Sequence, residues 1–300
     1  MDTFTANIEE ARSIGVRERL LAFLELTKPR IAFLLVLTSA AGFYMASNGG
    51  FDAARFVNAM VAITLLAFGV STLNQYIERR IDVFMPRTAA RPLPTKKITA
   101  TEALVFGIAQ CVIAEVYLLT AVNVLTAFLG LLVIIGYVFL YTPLKTKTSL
   151  STVVGAFPGA MPPLMGWTAA TGDITLVAWM LFATQFLWQF PHFLSIAWLY
   201  RDQYAKAGIL MLPVVEPTGK LTARQIVLFT IMLVPVSLAP FFFHASGLLF
   251  LIGATAVGIW FLWSSIQAAR TRTDDAARKL LLVSVIYLPV FFLLMVIDKN

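Results

Sequence analysis

The sequence predicts an all-α fold, a polytopic membrane bundle of about nine transmembrane helices around a central apolar cavity that opens to the cytoplasm. Three observations lead there. Of the 300 residues, 59% are hydrophobic and only 13% are charged, whereas a soluble domain carries about a quarter charged residues. The apolar residues come in runs of about twenty, the length a helix needs to cross a hydrocarbon core of about 30 Å. These runs also lack the every-second-residue alternation of a membrane β-barrel.

Taken in order, the candidate spans are residues 31–46, 54–76, 103–119, 122–141, 152–170, 176–199, 225–243, 247–266 and 279–297. The short connections at 120–123 and 171–175 predict antiparallel neighbours. Residues 1–24 form a polar segment of mixed charge with no apolar core of a cleaved signal peptide, so the first run is expected to be a permanent span. No linker or low-complexity stretch interrupts the chain, which reads as one domain over 1–300. The single cysteine, Cys111, lies inside an apolar run, which excludes a disulfide or a cysteine metal framework and suits a small core residue.

Charge sets the orientation. The net charge is +7, and a basic balance can mean either a nucleic-acid partner or membrane topology. If the spans alternate, 21 of the 23 Lys and Arg fall on the side of the N-terminus, and only Arg55 and Lys299 fall on the other. By the positive-inside rule that side is cytoplasmic. The expected partner is therefore the lipid bilayer of a bacterial-type inner (plasma) membrane, and no nucleic acid is needed.

The second span ends in Asn74, Glu78 and Asp82, spaced i, i+4, i+8 and so expected on one helix face. Two carboxylates and an amide oxygen aimed at one spot suit Mg²⁺, which takes one or two carboxylates together with substrate phosphates and water. The bland alternative is a helix end whose acids pair with Arg79, Arg80 or Arg87. Acids at the end of a span are costly unless paired or used. Beyond them, Arg87 and Arg91 stand four apart among Pro86, Pro92 and Pro94, an arrangement that can present guanidinium forks to a diphosphate.

A second polar stripe runs along the sixth span through Gln185, Gln189 and His192, with Pro191 expected to kink the helix or free a carbonyl. His192 has two readings: a hydrogen bond between helices, or contact with an acceptor as iron ligand or base. The span exits through Asp202 and Tyr204. Since four spans separate the two polar segments, both should leave the membrane on the same face. Gln110 and Glu115 lie mid-run in the third span, where pairing or protonation within the bundle is expected.

The pattern Asn-x3-Glu-x3-Asp-x4-Arg-Thr-x2-Arg-Pro-Leu-Pro from Asn74 to Pro94 resembles the first signature of the UbiA superfamily of membrane prenyltransferases, and most closely its heme-farnesylating branch. Trp188-Gln189-x-Pro191-His192-Phe193, followed by Asp202-x-Tyr204-x3-Gly208-Ile209-x-Met211-Leu212-Pro213, is similar to the second signature of that branch. Leu26-Thr27-Lys28-Pro29-Arg30, Tyr141-Thr142-Pro143-Leu144-Lys145 and Pro162 to Trp167 extend the likeness over nearly the whole chain. Glu78 stands where the superfamily commonly has Asp, Leu210 where the branch often has Pro, and the second motif offers essentially one acid.

The resemblance implies farnesyl diphosphate and heme B as substrates, Mg²⁺ as cofactor and contact with a heme A synthase. It implies Asn74, Glu78, Asp82 and Asp202 as the metal-holding catalytic group. Arg87, Arg91, Lys28, Arg30, Lys145, His192 and Tyr204 are then the substrate-binding candidates; on the residues alone, Lys28, Arg30 and Lys145 read equally as topology signals. Two rivals stand beside this reading: a prenyltransferase for an aromatic quinone precursor, and a lipid or metabolite transporter. A transporter has no need of clustered acids flanked by Arg-Pro loops, and no repeat symmetry is evident.

Overall fold

The structure is a computed structural model that describes residues 15–47 and 49–300. Residues 1–14, with Arg12 and the beginning of the expected polar segment, lie outside the described residues. The described residues are helical without a β-strand; one isolated bridge joins Ser246 to Lys299. Among the described residues, seven helices are long and apolar enough to cross a membrane. The chain is an integral membrane protein.

The segment read as polar contains a short helix, α1 (Val16–Leu26). It buries Ala22 and Leu26 against Leu93, Ile98 and Ala103 and leaves Leu20, Leu21 and Leu24 exposed. That outer apolar face suits a helix lying in a membrane interface. Next come α2 (Pro29–Ala46), α3 (Ala53–Glu78), α4 (Ala100–Ala121) and α5 (Val124–Leu144). The starts follow from capping chemistry. Asp52 accepts from Arg55 N at the head of α3, Thr99 and Glu102 form a reciprocal capping box on α4, and Asn123 accepts from Thr126 N at α5. The connection at 120–123 does turn α5 back against α4.

The fifth expected span is broken. It consists of α6 (Ser151–Gly159) and α7 (Met161–Thr171), which meet at Ala160. Pro162 and Pro163 open α7 and have no N–H to give the preceding turn. Pro163 would have served the carbonyl of Gly159, and Gln185 Nε2 donates to that oxygen instead at 2.8 Å. Gln189 Nε2 donates to Ala156 O at 2.9 Å. Gln185, one of the three residues of the polar stripe on the sixth span, therefore repairs a helix break, a role invisible in periodicity.

The sixth span is α8 (Leu176–Leu199), which runs on through Pro191. It is as long as its neighbours and carries Gln185, Gln189 and His192 along its length, and it is not among the seven. Two short helices, α9 (Arg201–Lys206) and α10 (Leu212–Val215), precede α11 (Lys220–Phe242), α12 (Leu248–Thr271) and α13 (Asp274–Ile297). The last three pack in sequence, and both α11 and α13 lie on α8. Helix α2 joins the halves by packing on α7 and α13.

Helices α2 and α7 approach each other backbone to backbone. A Cβ on Gly166 would lie 1.8 Å from Ser39 O, and one on Gly42 would lie 2.1 Å from Pro163 O. Both obstacles are backbone, so the axes approach only because neither position has a side chain. Gly166→Ala should destabilise the fold by about 1–3 kcal/mol, the usual range for overpacking. A lowered thermal midpoint of the purified protein in detergent checks this, and an unchanged one would show that the contact is not tight.

Candidate active site

The chemistry collects at the end of the bundle where α3 stops. Asn74 and Glu78 lie on its last turn and a half, and both are buried. Contrary to the expectation of one continuous helix face, α3 ends at Glu78, and Asp82 opens a separate 3-10 turn, Asp82–Phe84. The turn is pinned by Thr88, whose hydroxyl donates to Asp82 O at 2.8 Å. The helix stops, yet Asp82 still faces Glu78, because Arg91 reaches both. Its Nη1 lies 2.8 Å from Asp82 Oδ2 and 4.0 Å from Glu78 Oε2.

Each of the three oxygen-bearing side chains meets a cation. Lys28 Nζ donates to Asn74 Oδ1 at 2.7 Å, and Lys145 Nζ donates to Glu78 Oε1 at 2.6 Å. Arg91 serves Asp82, whose other oxygen, Oδ1, is buried with no hydrogen-bond partner. The two acids thus pair with Lys145 and Arg91 and not with Arg79, Arg80 or Arg87 as the bland reading had it, while Lys28 holds the amide. Lys28 adopts a left-handed backbone (φ 50°, ψ 60°) immediately before Pro29, so the side chain is presented by a conformation unusual for lysine.

The electrostatics follow from burial. Removal from water, reinforced by the Arg91 guanidinium, lowers the Lys28 ammonium to about 7. Burial pushes the Asp82 carboxyl up against the opposing pull of Arg91. Burial would lower Lys145, but Glu78 beside it holds the ammonium well above the ordinary lysine range. Lys145 also lies over the Tyr141 ring, 4.5 Å from its centroid.

The second charged segment closes on the first, as the parity of the spans required. Arg87 Nη2 donates to Tyr204 OH at 3.1 Å, and its guanidinium lies 4.8 Å from the Tyr200 ring centroid. Met85 is buried with Tyr204, Ile209 and Met211 in one apolar cluster. Leu210 N donates to Lys145 O at 2.8 Å, so the loop after α5 is held by the segment after α8. Asp202 is exposed on α9, two residues from Tyr204, and Arg30 is exposed on the first turn of α2.

His192 stands apart from this group. Its Nδ1 shares a 2.8 Å hydrogen bond with Ser284 Oγ on α13, and its ring stacks on Trp188, whose Nε1 donates to Ser284 O. That geometry is the interhelical hydrogen bond foreseen as one of its two readings. Glu115 packs against Gly130 on α5, with its Oε1 buried and unpartnered.

Sequence reasoning missed Thr142, Tyr137 and Tyr141. The stretch Ile135–Tyr141 is a π-helix, which brings the Tyr137 and Tyr141 rings to 5.0 Å. Such insertions are frequent at functional sites, but periodicity does not disclose them. The only available signal was the Tyr141-to-Lys145 motif itself.

Among the described residues no group of three or more His, Cys, Asp or Glu is placed to hold a metal alone. Two carboxylates and an amide oxygen are instead a donor set for a hard cation that completes its coordination with phosphate oxygens and water.

Comparison with known proteins fits this geometry. The profile of the UbiA prenyltransferase family matches residues 35–295. A protein of Solibacter usitatus named protoheme IX farnesyltransferase is 47% identical over 286 residues, covering 92% of this chain and 98% of that protein. Among solved structures, a digeranylgeranylglyceryl phosphate synthase superposes with a TM-score of 0.79 at 17% identity, covering 94% of this chain and 98% of that one. A UbiA homolog from Archaeoglobus fulgidus bound to GPP and Mg²⁺ superposes with a TM-score of 0.68 at 16% identity, covering 91% and 99%.

Proposed function

We propose that this chain, which belongs to the UbiA prenyltransferase family, transfers the farnesyl group of farnesyl diphosphate to a vinyl group of heme B, giving heme O and pyrophosphate. The observation that carries prenyl transfer is the convergence of Asn74, Glu78 and Asp82 on Lys28, Lys145 and Arg91. Heme as acceptor and farnesyl as donor come from the likeness to protoheme IX farnesyltransferase over nearly the whole chain.

Asn74 Oδ1 with the Glu78 and Asp82 carboxylates would hold Mg²⁺, and Asp202 would approach from the second segment. The orphaned, buried Asp82 Oδ1 favours this fit, since a cation would satisfy it. The related Archaeoglobus fulgidus protein, of the same fold, is bound to Mg²⁺ and a prenyl diphosphate. When bound, Mg²⁺ supplies positive charge to the departing pyrophosphate. Lys28, Lys145 and Arg91 add theirs from fixed positions, and Arg87 is oriented by Tyr204. The apolar helices keep water from the allylic carbocation until the vinyl group of heme B attacks it. Water then adds to the cation left on the former vinyl carbon and loses a proton, giving the hydroxyethylfarnesyl side chain. Arg30 and His192 are left to the acceptor side.

The same reading takes α6–α7 and α8 as two further spans, nine in all, around an apolar cavity within one prenyltransferase domain over 1–300. The basic end then faces the cytoplasm of a bacterial-type inner membrane, since among the described residues the Lys and Arg at the opposite end are Arg55 and Lys299. Product release to a heme A synthase would occur within that membrane.

Hemes extracted from cells with and without this gene test the function. A heme heavier by one farnesyl and one hydroxyl group, with a vinyl converted to a hydroxyethylfarnesyl side chain, is expected only where the gene is present. Unchanged hemes together with a prenylated quinone precursor would replace heme as the acceptor, and neither product would favour a transporter.

A further inference from the structure

We infer that Thr142 is a positioning residue that fixes which face of the Asn74 amide points into the site. An asparagine side chain ends in an oxygen on one side and an NH₂ on the other, and only the oxygen can bind a cation. The two faces have nearly the same shape, so packing alone does not choose between them.

The choice is made by a chain of three hydrogen bonds. Thr142 is 3% exposed, and its hydroxyl donates to Tyr137 O at 2.8 Å. A hydroxyl has one hydrogen, so toward Asn74 that oxygen can only accept. Asn74 must therefore offer Nδ2, which it does at 3.1 Å. Oδ1 is then turned to the opposite side, where Lys28 Nζ meets it at 2.7 Å. The acceptor at the start of the chain exists because the segment is a π-helix, in which Thr142 N–H also donates to Tyr137 O. The unusual winding of α5 thus serves the amide on α3, 68 positions away in sequence.

The inference rests on the assignment of Asn74 to the metal under the proposed function, and its test separates the two. The full-length protein in nanodiscs would be titrated with Mn²⁺ in the presence of inorganic pyrophosphate, with free Mn²⁺ read by its EPR signal. Thr142→Val keeps the side-chain shape and removes the hydroxyl, and Thr142→Ala removes it with less bulk should the valine variant fail to fold. Either should weaken Mn²⁺ binding about 10- to 100-fold, the range for lost outer-sphere partners of a metal site. Thr142→Ser keeps the chain of hydrogen bonds and should bind as wild type does.

Wild-type affinity in the valine or alanine variant would overturn the inference. So would a serine variant as weak as valine, because the methyl group would then be what matters. Asn74→Leu is the control. If it is weakened while valine and alanine are not, the inference alone falls. If it binds Mn²⁺ as wild type does, Asn74 is not a ligand, and the site reading falls together with the inference.

Discussion

Asp82→Asn should lower turnover about 10²- to 10³-fold, the cost of removing one preorganised charge-stabilising group, or roughly 3–4 kcal/mol of barrier. The substitution keeps size and shape, so the loss isolates charge. One oxygen of Asp82 lies 2.8 Å from Arg91 Nη1 and the other is buried with no partner. An amide at this position sets its NH₂ against either the guanidinium or an arriving cation, and both are repelled. Stability should change little. Burial already pushes the carboxyl up, which marks its charged form as costly to the fold, and Arg91 keeps Glu78 within 4.0 Å. Heme O formation in membranes supplied with heme B, farnesyl diphosphate and Mg²⁺ measures the effect. Wild-type turnover in this variant would remove Asp82 from the mechanism.

Lys145→Met should act mainly on stability. The side chains of Lys145 and Glu78 are 13% and 8% exposed, and their atoms are 2.6 Å apart. Breaking a buried pair by removing one partner costs about 3–5 kcal/mol, because the remaining charge loses its nearest partner away from water and keeps only Arg91 at 4.0 Å. Replacing both, as Glu78→Gln with Lys145→Met, removes the stranded charge and should restore most of that loss while leaving turnover low. Thermal unfolding of the single and double variants in detergent forms the cycle. Equal midpoints for the wild type and the lysine variant would show that solvent reaches Glu78 in the folded protein.

Much of the site was legible because its parts are local in sequence. The four-residue spacing of Asn74, Glu78 and Asp82 and the proline-stiffened arginines after them are visible in one stretch of 21 residues, 74–94. The parity of the intervening spans also placed the second segment beside the first. The partners of those acids were harder to read. Lys28 reaches Asn74 over 46 positions, and Lys145 reaches Glu78 over 67. Both lysines sit at span ends, where a topology signal and a ligand look alike. The stripe of Gln185, Gln189 and His192 shows the same limit. It reads as a polar stripe in which His192 could meet either a neighbouring helix or an acceptor, and the structure gives each residue an intramolecular partner: Gly159 O, Ala156 O and Ser284 Oγ.

The membrane bundle, the segregation of positive charge to one end and the family signatures follow from the order of residues along the chain. Hydrophobic length, loop charge and helical spacing are short-range properties that any stretch carries wherever it packs. Which cation meets which oxygen, where α3 stops, how the break at Ala160 is satisfied and which way the Asn74 amide turns were decided only by packing. Each of these depends on burying polar groups from distant segments together, where a missing partner costs more than local preference can offset.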